Sequence, residues 1–512
     1  MAIDAQTDRD VPAGRGAGPS PASANDHHPL EDWLGRRPVR WLLGRLARST
    51  AGPTPLEKII TSYRNPEAPR WQRLRYWPVH RFIDRMRGKV PVETFRRRLA
   101  EHAATVRGLV IAARSVAEFG LTVPQRFTAP LFAVWNFTNR CNLKCRHCYQ
   151  SSDHQALPDE LTLDEKLAVV DDLGESYAAM IAFAGGEPTI CPDLLPVLRR
   201  VQRYRMHVSV ATNGVTITET LAAELAEAGA RYVEISLDSV DPARHDAFRG
   251  VPGMWDRAVR GARIVAAREG LRLGIAMCVH RGNVHEVRDM IELAISLGAG
   301  CFAHFNFIPV GRGVRMVSGD ITPDQREELL ELLNETMQSG RIGVISTAPQ
   351  LGRTCLTHAA GEEGRTSCSH AGSGSGAKAR VVAKYLGGCG AGRTYVCIEP
   401  NGDVTPCVYL PHRVMGNLRD RRLVEIFRGR YYELLNDRTQ RTHHCGSCDF
   451  ANFCGGCRAR SDAYFGRLDA GDPGCVLNRD AWDELVAAGV VVEEETTDPG
   501  KMHMSPIRHG LA

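Results

Sequence analysis

The sequence predicts an α/β protein: a partial (β/α)6 TIM-like barrel with a helical N-terminal extension and a small cysteine-rich C-terminal domain. Three observations predict it. Between residues 126 and 345, short apolar runs alternate six times with helical patterns. The stretch before them carries tryptophans, leucines and arginines at helical spacing. The 16 cysteines are bunched: none precedes Cys141, three fall at Cys141, Cys145 and Cys148, and eight lie from Cys389 to Cys475.

Residues 1–29 are rich in Ala, Gly, Pro, Ser and Asp and predict a disordered leader. They contain no apolar stretch typical of a secretory signal. No run of about 18 uncharged apolar residues occurs anywhere, so no spanning helix is expected. The expected location is cytoplasmic, where thiols stay reduced and clustered cysteines read as metal ligands before disulfides. Residues 30–125 form the basic helical extension. Trp41, Leu42, Leu43 and Leu46 share one stretch with Arg40, Arg45 and Arg48, and Trp71, Leu74, Tyr76, Trp77, Phe82 and Ile83 share a second with more arginines. The plainer reading is helices packed on the main domain. The sharper one is peripheral contact with a membrane or an acidic partner.

The predicted strands are Leu131–Phe137, Met180–Ala184, Val208–Ala211, Tyr232–Leu237, Leu273–Val279 and Phe302–Ile308, with helical patterns such as Leu163–Tyr177, Leu194–Tyr204, Thr220–Ala228 and Val284–Leu297 between them. Right-handed crossovers curl such repeats toward a barrel, whose chemistry sits at the C-terminal strand ends. Residues 346–385, with the run HAGSGSGAKAR, read as a flexible connector. Residues 386–480 form the second cysteine unit, in which Glu399–Val404 reads as the turn of a hairpin. Residues 481–512 read as a helix and a loose tail.

A hydrophobic fraction of 43%, a charged fraction of 24% and a net charge of +5 are ordinary for a globular chain of 512 residues. They give no reason to expect nucleic acid as a partner.

After the first strand comes Trp-Asn-Phe-Thr-Asn-Arg-Cys-Asn-Leu-Lys-Cys-Arg-His-Cys-Tyr. Cys141, Cys145 and Cys148 on one tight loop can hold three corners of a four-iron cluster and leave one iron open. A structural zinc site would need a fourth ligand, for which His147 is the local candidate. Ala184-Gly185-Gly186-Glu187-Pro188 follows the second strand, Thr212-Asn213-Gly214 the third, Ser236-Leu237-Asp238-Ser239 the fourth and Phe307-Ile308-Pro309-Val310-Gly311-Arg312-Gly313 the sixth. Alone, each of these is a common turn; in this order, at successive strand ends, they form a set.

The set resembles the radical S-adenosylmethionine (radical SAM) superfamily over about residues 130–315. The resemblance implies a [4Fe-4S] cluster on Cys141, Cys145 and Cys148 and S-adenosyl-L-methionine held near Tyr149, Gly185, Gly186, Glu187, Asn213, Ser236, Asp238 and Val310. It implies reductive cleavage to a 5′-deoxyadenosyl radical, hydrogen abstraction from substrate, and an electron donor such as flavodoxin or ferredoxin. In this reading the glycines admit backbone groups to the ligand, and the Glu187 carboxylate pairs with its ammonium. The C-terminal unit is similar to the SPASM domain. That similarity implies two auxiliary clusters, one helped by Cys389, Cys407 and Cys457 and one held by Cys445, Cys448, Cys454 and Cys475. The fourth ligand of the first stays open between Cys368, Cys397 and none. Zinc remains the alternative for paired cysteines seen in isolation. Cys191, Cys278 and Cys301 read as ordinary buried thiols.

The leading substrate class is a peptide or peptide-derived cofactor undergoing maturation. A tetrapyrrole side chain is the alternative, with Arg312 near its propionates. A non-catalytic iron–sulfur or zinc scaffold is the alternative of another class. No catalytic acid or base emerges from the pattern.

Overall fold

A computed structural model describes residues 29–48, 52–65, 67–87, 91–101, 103–358, 365–367 and 373–492. The leader, Cys368 and the acidic stretch from Glu493 onward lie outside the described residues.

Seven parallel strands form the barrel wall: β1 (Phe132–Asn136), β2 (Met180–Ala184), β3 (His207–Thr212), β4 (Ala230–Ser236), β5 (Arg272–Val279), β6 (Cys301–Asn306) and β7 (Gly343–Ser346). They stand side by side in chain order, as right-handed strand–helix repeats require. All six predicted strands are present, with ends shifted by at most two residues. Strand β7 is an addition to them, because Gly343-Val344-Ile345-Ser346 is too short to show a period. The intervening helices follow from their ends. Thr162 caps Leu163–Glu175 in a capping box with Glu165, and Thr322 caps Pro323–Ser339 in one with Gln325. Fully buried Val208, Val210, Val233, Ile235, Ile275 and Phe302 from the strands join Val197, Leu198, Ala258 and Val265 from the helices in the main core.

The connector holds more structure than its composition predicts. Helices Gln350–Thr357 and Gly376–Leu386 flank a short hairpin of β8 (Arg365–Ser367) and β9 (Ser373–Ser375). The Gly/Ser run masks Ala-Lys-Ala-Arg-Val-Val-Ala-Lys-Tyr-Leu, in which Ala, Lys, Arg and Leu, all good helix formers, outnumber Val and Tyr.

The C-terminal unit is not a separate sheet. Strands β10 (Tyr395–Ile398), β11 (Asp403–Thr405) and β12 (Gly416–Asn417) extend the barrel sheet, with β10 pairing parallel to β1 from Phe132↔Tyr395 to Trp135↔Ile398. The predicted hairpin is there, joining β10 to β11 antiparallel. The result is one ten-stranded sheet that places the second cysteine group beside the first strand. A buried ion-pair cluster adds a second joint. Arg460 of helix Arg458–Phe465 donates to Asp320 at 2.7 Å and to Asp472 at 3.1 Å, and Asp320 also pairs with Arg326 at 2.6 Å.

Among the described residues, seven helices between Pro29 and Phe119 make up the N-terminal extension. The last, Ala103–Phe119, docks on the barrel through Arg107, which donates to the carbonyls of Gly174, Ala178 and Tyr204 at 2.6, 2.7 and 3.0 Å. No helix among the described residues is long and apolar enough to cross a membrane.

Candidate active site

The cysteine loop is held by its backbone at the C-terminal strand ends. Cys141 N–H donates to the Asp153 carbonyl at 2.7 Å, and Lys144 and Arg146 donate to the carbonyls of Arg249 and Phe248 at 3.1 and 3.0 Å. From the end of β2, Gly186 and Glu187 donate to the carbonyls of Thr138 and Arg140 at 2.8 and 2.9 Å. Only glycine permits this approach: a Cβ on Gly186 would stand 2.2 Å from the Arg140 oxygen, and one on Gly185 (φ +112°) 2.8 Å from that of Thr138. These glycines thus make room for the cysteine loop, and both also line the cavity beside it. After β6, Arg312 grips the same loop. Its backbone N–H donates to the Cys148 carbonyl at 2.9 Å, and its guanidinium to those of Cys145 and Ser152 at 2.9 and 2.6 Å.

A cavity of about 610 Å³ occupies the barrel mouth and axis. Cys141, Cys145, Cys148, Tyr149, Gly185, Gly186, Asn213, Ser236 and Asp238 line it. Two of the predicted cofactor residues stand elsewhere. Glu187 is buried beneath the lining, and its carboxylate accepts from Thr189, Thr212 and the Asn213 N–H, at 2.5, 2.7 and 2.8 Å for the shortest bond to each. Val310 belongs to the main core, and Ile308 supplies the lining there. Asn213 also steadies the cysteine loop, its side-chain amide donating to Asn142 at 2.7 Å. The Tyr149 hydroxyl donates to Asn136 on β1 at 2.8 Å.

Charge is organised around the loop. Asp238 pairs with Arg249 at 2.6 Å, and Arg249 also reaches the Cys145 sulfur at 3.7 Å. Burial acts to raise Asp238, but Arg249, with His147 and His245, holds it down to about 2. The His147 ring lies flat on Phe248 at 4.6 Å, and burial drives it down to about 3, so it stays neutral. Burial also pushes the Cys141 thiol up to about 12. Burial likewise raises the Cys145 thiol, and thiols gathered where burial opposes the thiolate are suited to a strongly cationic partner. Among the described residues no three His, Cys, Asp or Glu side chains stand close enough to grip one ion. Three cysteines facing a shared space instead suit a multi-iron cluster, in which each thiolate takes its own iron.

The second cysteine group reaches the same cavity. Cys389, Cys407 and Cys457 line it, together with Tyr395 and Tyr409. Cys445, Cys454 and Cys475 form a separate set of electrostatic neighbours. Cys448 stands beside Arg353, which also neighbours Cys454 and Cys475. Cys397 lies outside the lining, its thiol donating to Glu399 at 3.4 Å. Cys278 and Cys301, read from sequence as core thiols, face the cavity, whereas Cys191 lies 3.8 Å from the Lys166 ammonium.

Sequence reasoning missed the arginines that frame this group. Arg458 donates to the carbonyls of Gly455, Gly456, Leu468 and Ala470. Arg393 spans those of Tyr385, Leu386, Gly387 and Cys389, Arg438 those of Gly387 and Ala451, and Arg441 those of Leu434, Leu435 and Leu468. All four are buried, and among the described residues none has a carboxylate partner. Burial lowers Arg393 to about 10 and Arg438 and Arg441 to about 9. Buried cations with only carbonyl partners fit an anionic neighbour, and thiolate-bound iron–sulfur clusters are anionic. The available signal was position: Arg393, Arg441 and Arg458 each lie within four residues of a cysteine.

Comparisons with known proteins agree with this geometry. A model of the radical SAM superfamily matches residues 135–294, and a model of an iron-sulfur cluster-binding domain, SPASM, matches residues 389–449. An AdoMet-dependent heme synthase of Oleidesulfovibrio alaskensis is 31% identical over 344 residues, covering 67% of this chain and 86% of that protein. The mycofactocin maturase MftC of Mycobacterium tuberculosis is 31% identical over 357 residues, covering 68% of this chain and 83% of that protein. In fold, SuiB of Streptococcus suis, solved bound to S-adenosylmethionine, aligns with a TM-score of 0.57 at 15% identity over 83% of this chain and 94% of that one. The chain belongs to the radical SAM superfamily and carries a C-terminal SPASM domain.

Proposed function

We propose that this enzyme is a maturase that takes a hydrogen atom from a peptide or a peptide-derived cofactor precursor. When bound, a [4Fe-4S] cluster and S-adenosylmethionine supply one-electron cleavage chemistry that activates unreactive C–H bonds. The protein's part is placement. Cys141, Cys145 and Cys148 present three thiols to the cavity, Ser236 and Asn213 offer polar contacts at neighbouring strand ends, and Tyr149 closes the side facing β1. Cys389, Cys407 and Cys457 lie on the same cavity, so a substrate in it lies in the space that both cysteine groups border. A second auxiliary cluster is assigned to Cys445, Cys448, Cys454 and Cys475. An external reductant, flavodoxin or ferredoxin, supplies the electron.

One observation favours a peptide over a tetrapyrrole. The arginines beside the cysteine loop are already engaged, Arg249 with Asp238 and Arg312 with loop carbonyls. Propionates need guanidinium partners of their own. The similarity to mycofactocin maturase supports the peptide reading. The similarity to AdoMet-dependent heme synthases supports the tetrapyrrole as a second reading.

The test is deuterium transfer. Reconstituted, reduced enzyme is incubated with S-adenosylmethionine and either a perdeuterated peptide fraction or meso-deuterated iron coproporphyrin III bearing deuterated propionates. Deuterium in 5′-deoxyadenosine from the peptide fraction alone is the expected result. Transfer from the porphyrin alone overturns the peptide assignment. No 5′-deoxyadenosine under any condition leaves a cluster-bearing scaffold.

A further inference from the structure

The N-terminal helices have two unlike faces. The inner face is a core: Ala47 packs with Val110 and Ala113, and Ile60 and Tyr63 pack with Leu99 and Val106. The outer face is aromatic and basic. Trp41 is 63% exposed, Trp71 61%, Trp77 59% and Leu74 78%. Helix Arg70–Arg75 buries no residue at all. Arginines accompany these rings, Arg45 lying over Trp41 at 5.0 Å and Arg81 over Trp77 at 5.9 Å. Between residues 29 and 87 the sequence holds thirteen Lys and Arg against five Asp and Glu, a larger excess than the +5 of the whole chain.

We propose that this outer face seats the enzyme on an anionic lipid bilayer. Large aromatic side chains left in water lose the stabilisation that burial gives them. Tryptophan recovers it at a bilayer interface, where its ring sits at headgroup depth. Each Lys or Arg near an anionic leaflet adds an attraction that salt screens. Short helices with apolar aromatics and a positive polar surface match this mode of lying on a membrane without crossing it. The face is remote in sequence from the cysteine loop.

Co-sedimentation of the full-length, cluster-loaded protein with vesicles tests the proposal. Phosphatidylcholine vesicles are compared with vesicles containing phosphatidylglycerol at a substantial mole fraction, at low and high salt. The expected result is binding to the anionic vesicles that falls several-fold with salt. A Trp41→Ser/Trp71→Ser/Trp77→Ser variant should lose most of the binding at every salt concentration. An Arg45→Gln/Arg75→Gln/Arg81→Gln variant should lose mainly the salt-sensitive part. Iron content and circular dichroism identify any variant that misfolds; the six side chains are exposed, so neither should change. Wild-type protein that stays in the supernatant with both vesicle types overturns the proposal. So does a tryptophan variant that binds as well as wild type, or a wild-type dimer that this variant converts to monomer without any vesicle binding.

Discussion

The loop of Cys141, Cys145 and Cys148 and the unit from Cys389 to Cys475 gather thiols by different means. The loop is short and is positioned by backbone: carbonyls of residues 138–148 accept from Gly186, Glu187 and Arg312, and two glycines allow the approach. The C-terminal unit has few strands of its own and is held by side chains, with four buried guanidiniums satisfying carbonyls that no ladder reaches. A loop set by regular strand ends can be specified by a few glycines at fixed offsets. A unit built from short elements and long turns needs long side chains that reach across it, and their partners are scattered along the chain.

The difference sets how each region should fail. The largest expected effect is on the loop. Replacing Cys141, Cys145 and Cys148 together with Ala should abolish S-adenosylmethionine cleavage and lower iron from about twelve to about eight per chain. Anaerobic iron and sulfide analysis reads this directly, and it also counts the auxiliary clusters. Gly186→Ala should come close behind, because its Cβ meets a backbone oxygen at 2.2 Å that cannot move without the cysteine loop. The expected result is loss of the loop's iron with the auxiliary iron kept, seen as selective loss of one reduced-cluster signal.

Arg458→Gln tests the other mode. It strips the guanidinium from the carbonyls of Gly455, Gly456 and Ala470, while Leu468 keeps Arg441, and buried groups left unsatisfied cost about 1–3 kcal/mol each. The unit should lose at least about 3 kcal/mol and its iron, while the loop's cluster signal persists in the same sample. Loss of both signals together would mean that the two regions fold as one, and the contrast between them would fail.

How much of this was legible follows the same division. The six strands and their strand-end motifs were readable, because apolar runs and glycine-bearing turns are local signals. The sulfur positions were readable because cysteines bunch. The participation of Tyr395–Ile398 in the barrel sheet was not, since parallel pairing with Phe132–Trp135 spans more than 260 residues and leaves no periodic trace. Nor were the roles of Glu187, which accepts from the Thr189 and Thr212 hydroxyls and the Asn213 N–H, and of Arg312, which donates to loop carbonyls, since only the fold brings these partners near. Residue type fixed which chemistry was present; it did not fix which of these side chains would be consumed in building the site.

The joint between the regions gives a smaller, pH-dependent effect. Burial acts to raise Asp320, but Arg460 and Arg326 outweigh it and hold its carboxyl below the usual range. A carboxyl depressed in the folded state contributes stability above its unfolded pKa of about 3.9 and loses it as the pH falls through the folded value. Wild-type stability should therefore drop below about pH 4 in part through this group. Asp320→Asn should be less stable at neutral pH, where two buried guanidiniums lose their shared anion, and less sensitive to acid below about pH 4. Urea unfolding at pH 7 and pH 3 checks both.

The smallest effect concerns the space the two cysteine groups share. Glu234 faces the cavity from β4, two residues before Ser236, with the Tyr232 hydroxyl at 3.3 Å. Burial raises it to about 7, against which the Tyr232 bond is the lesser influence. The sign is opposite to that of Asp320. An unfolded glutamate releases its proton near pH 4.3, whereas the folded one keeps it to about pH 7, so stability falls as the pH rises between the two and levels off above. Glu234→Gln removes that loss. It should leave stability unchanged near pH 4 and raise it at pH 8 by on the order of 2 kcal/mol, since water in the cavity offsets part of the burial cost. Equal gains at both pH values would trace the effect to packing. No gain at pH 8 would mean that the cavity already solvates the carboxylate, and that the space between the two cysteine groups is wetter than its lining implies.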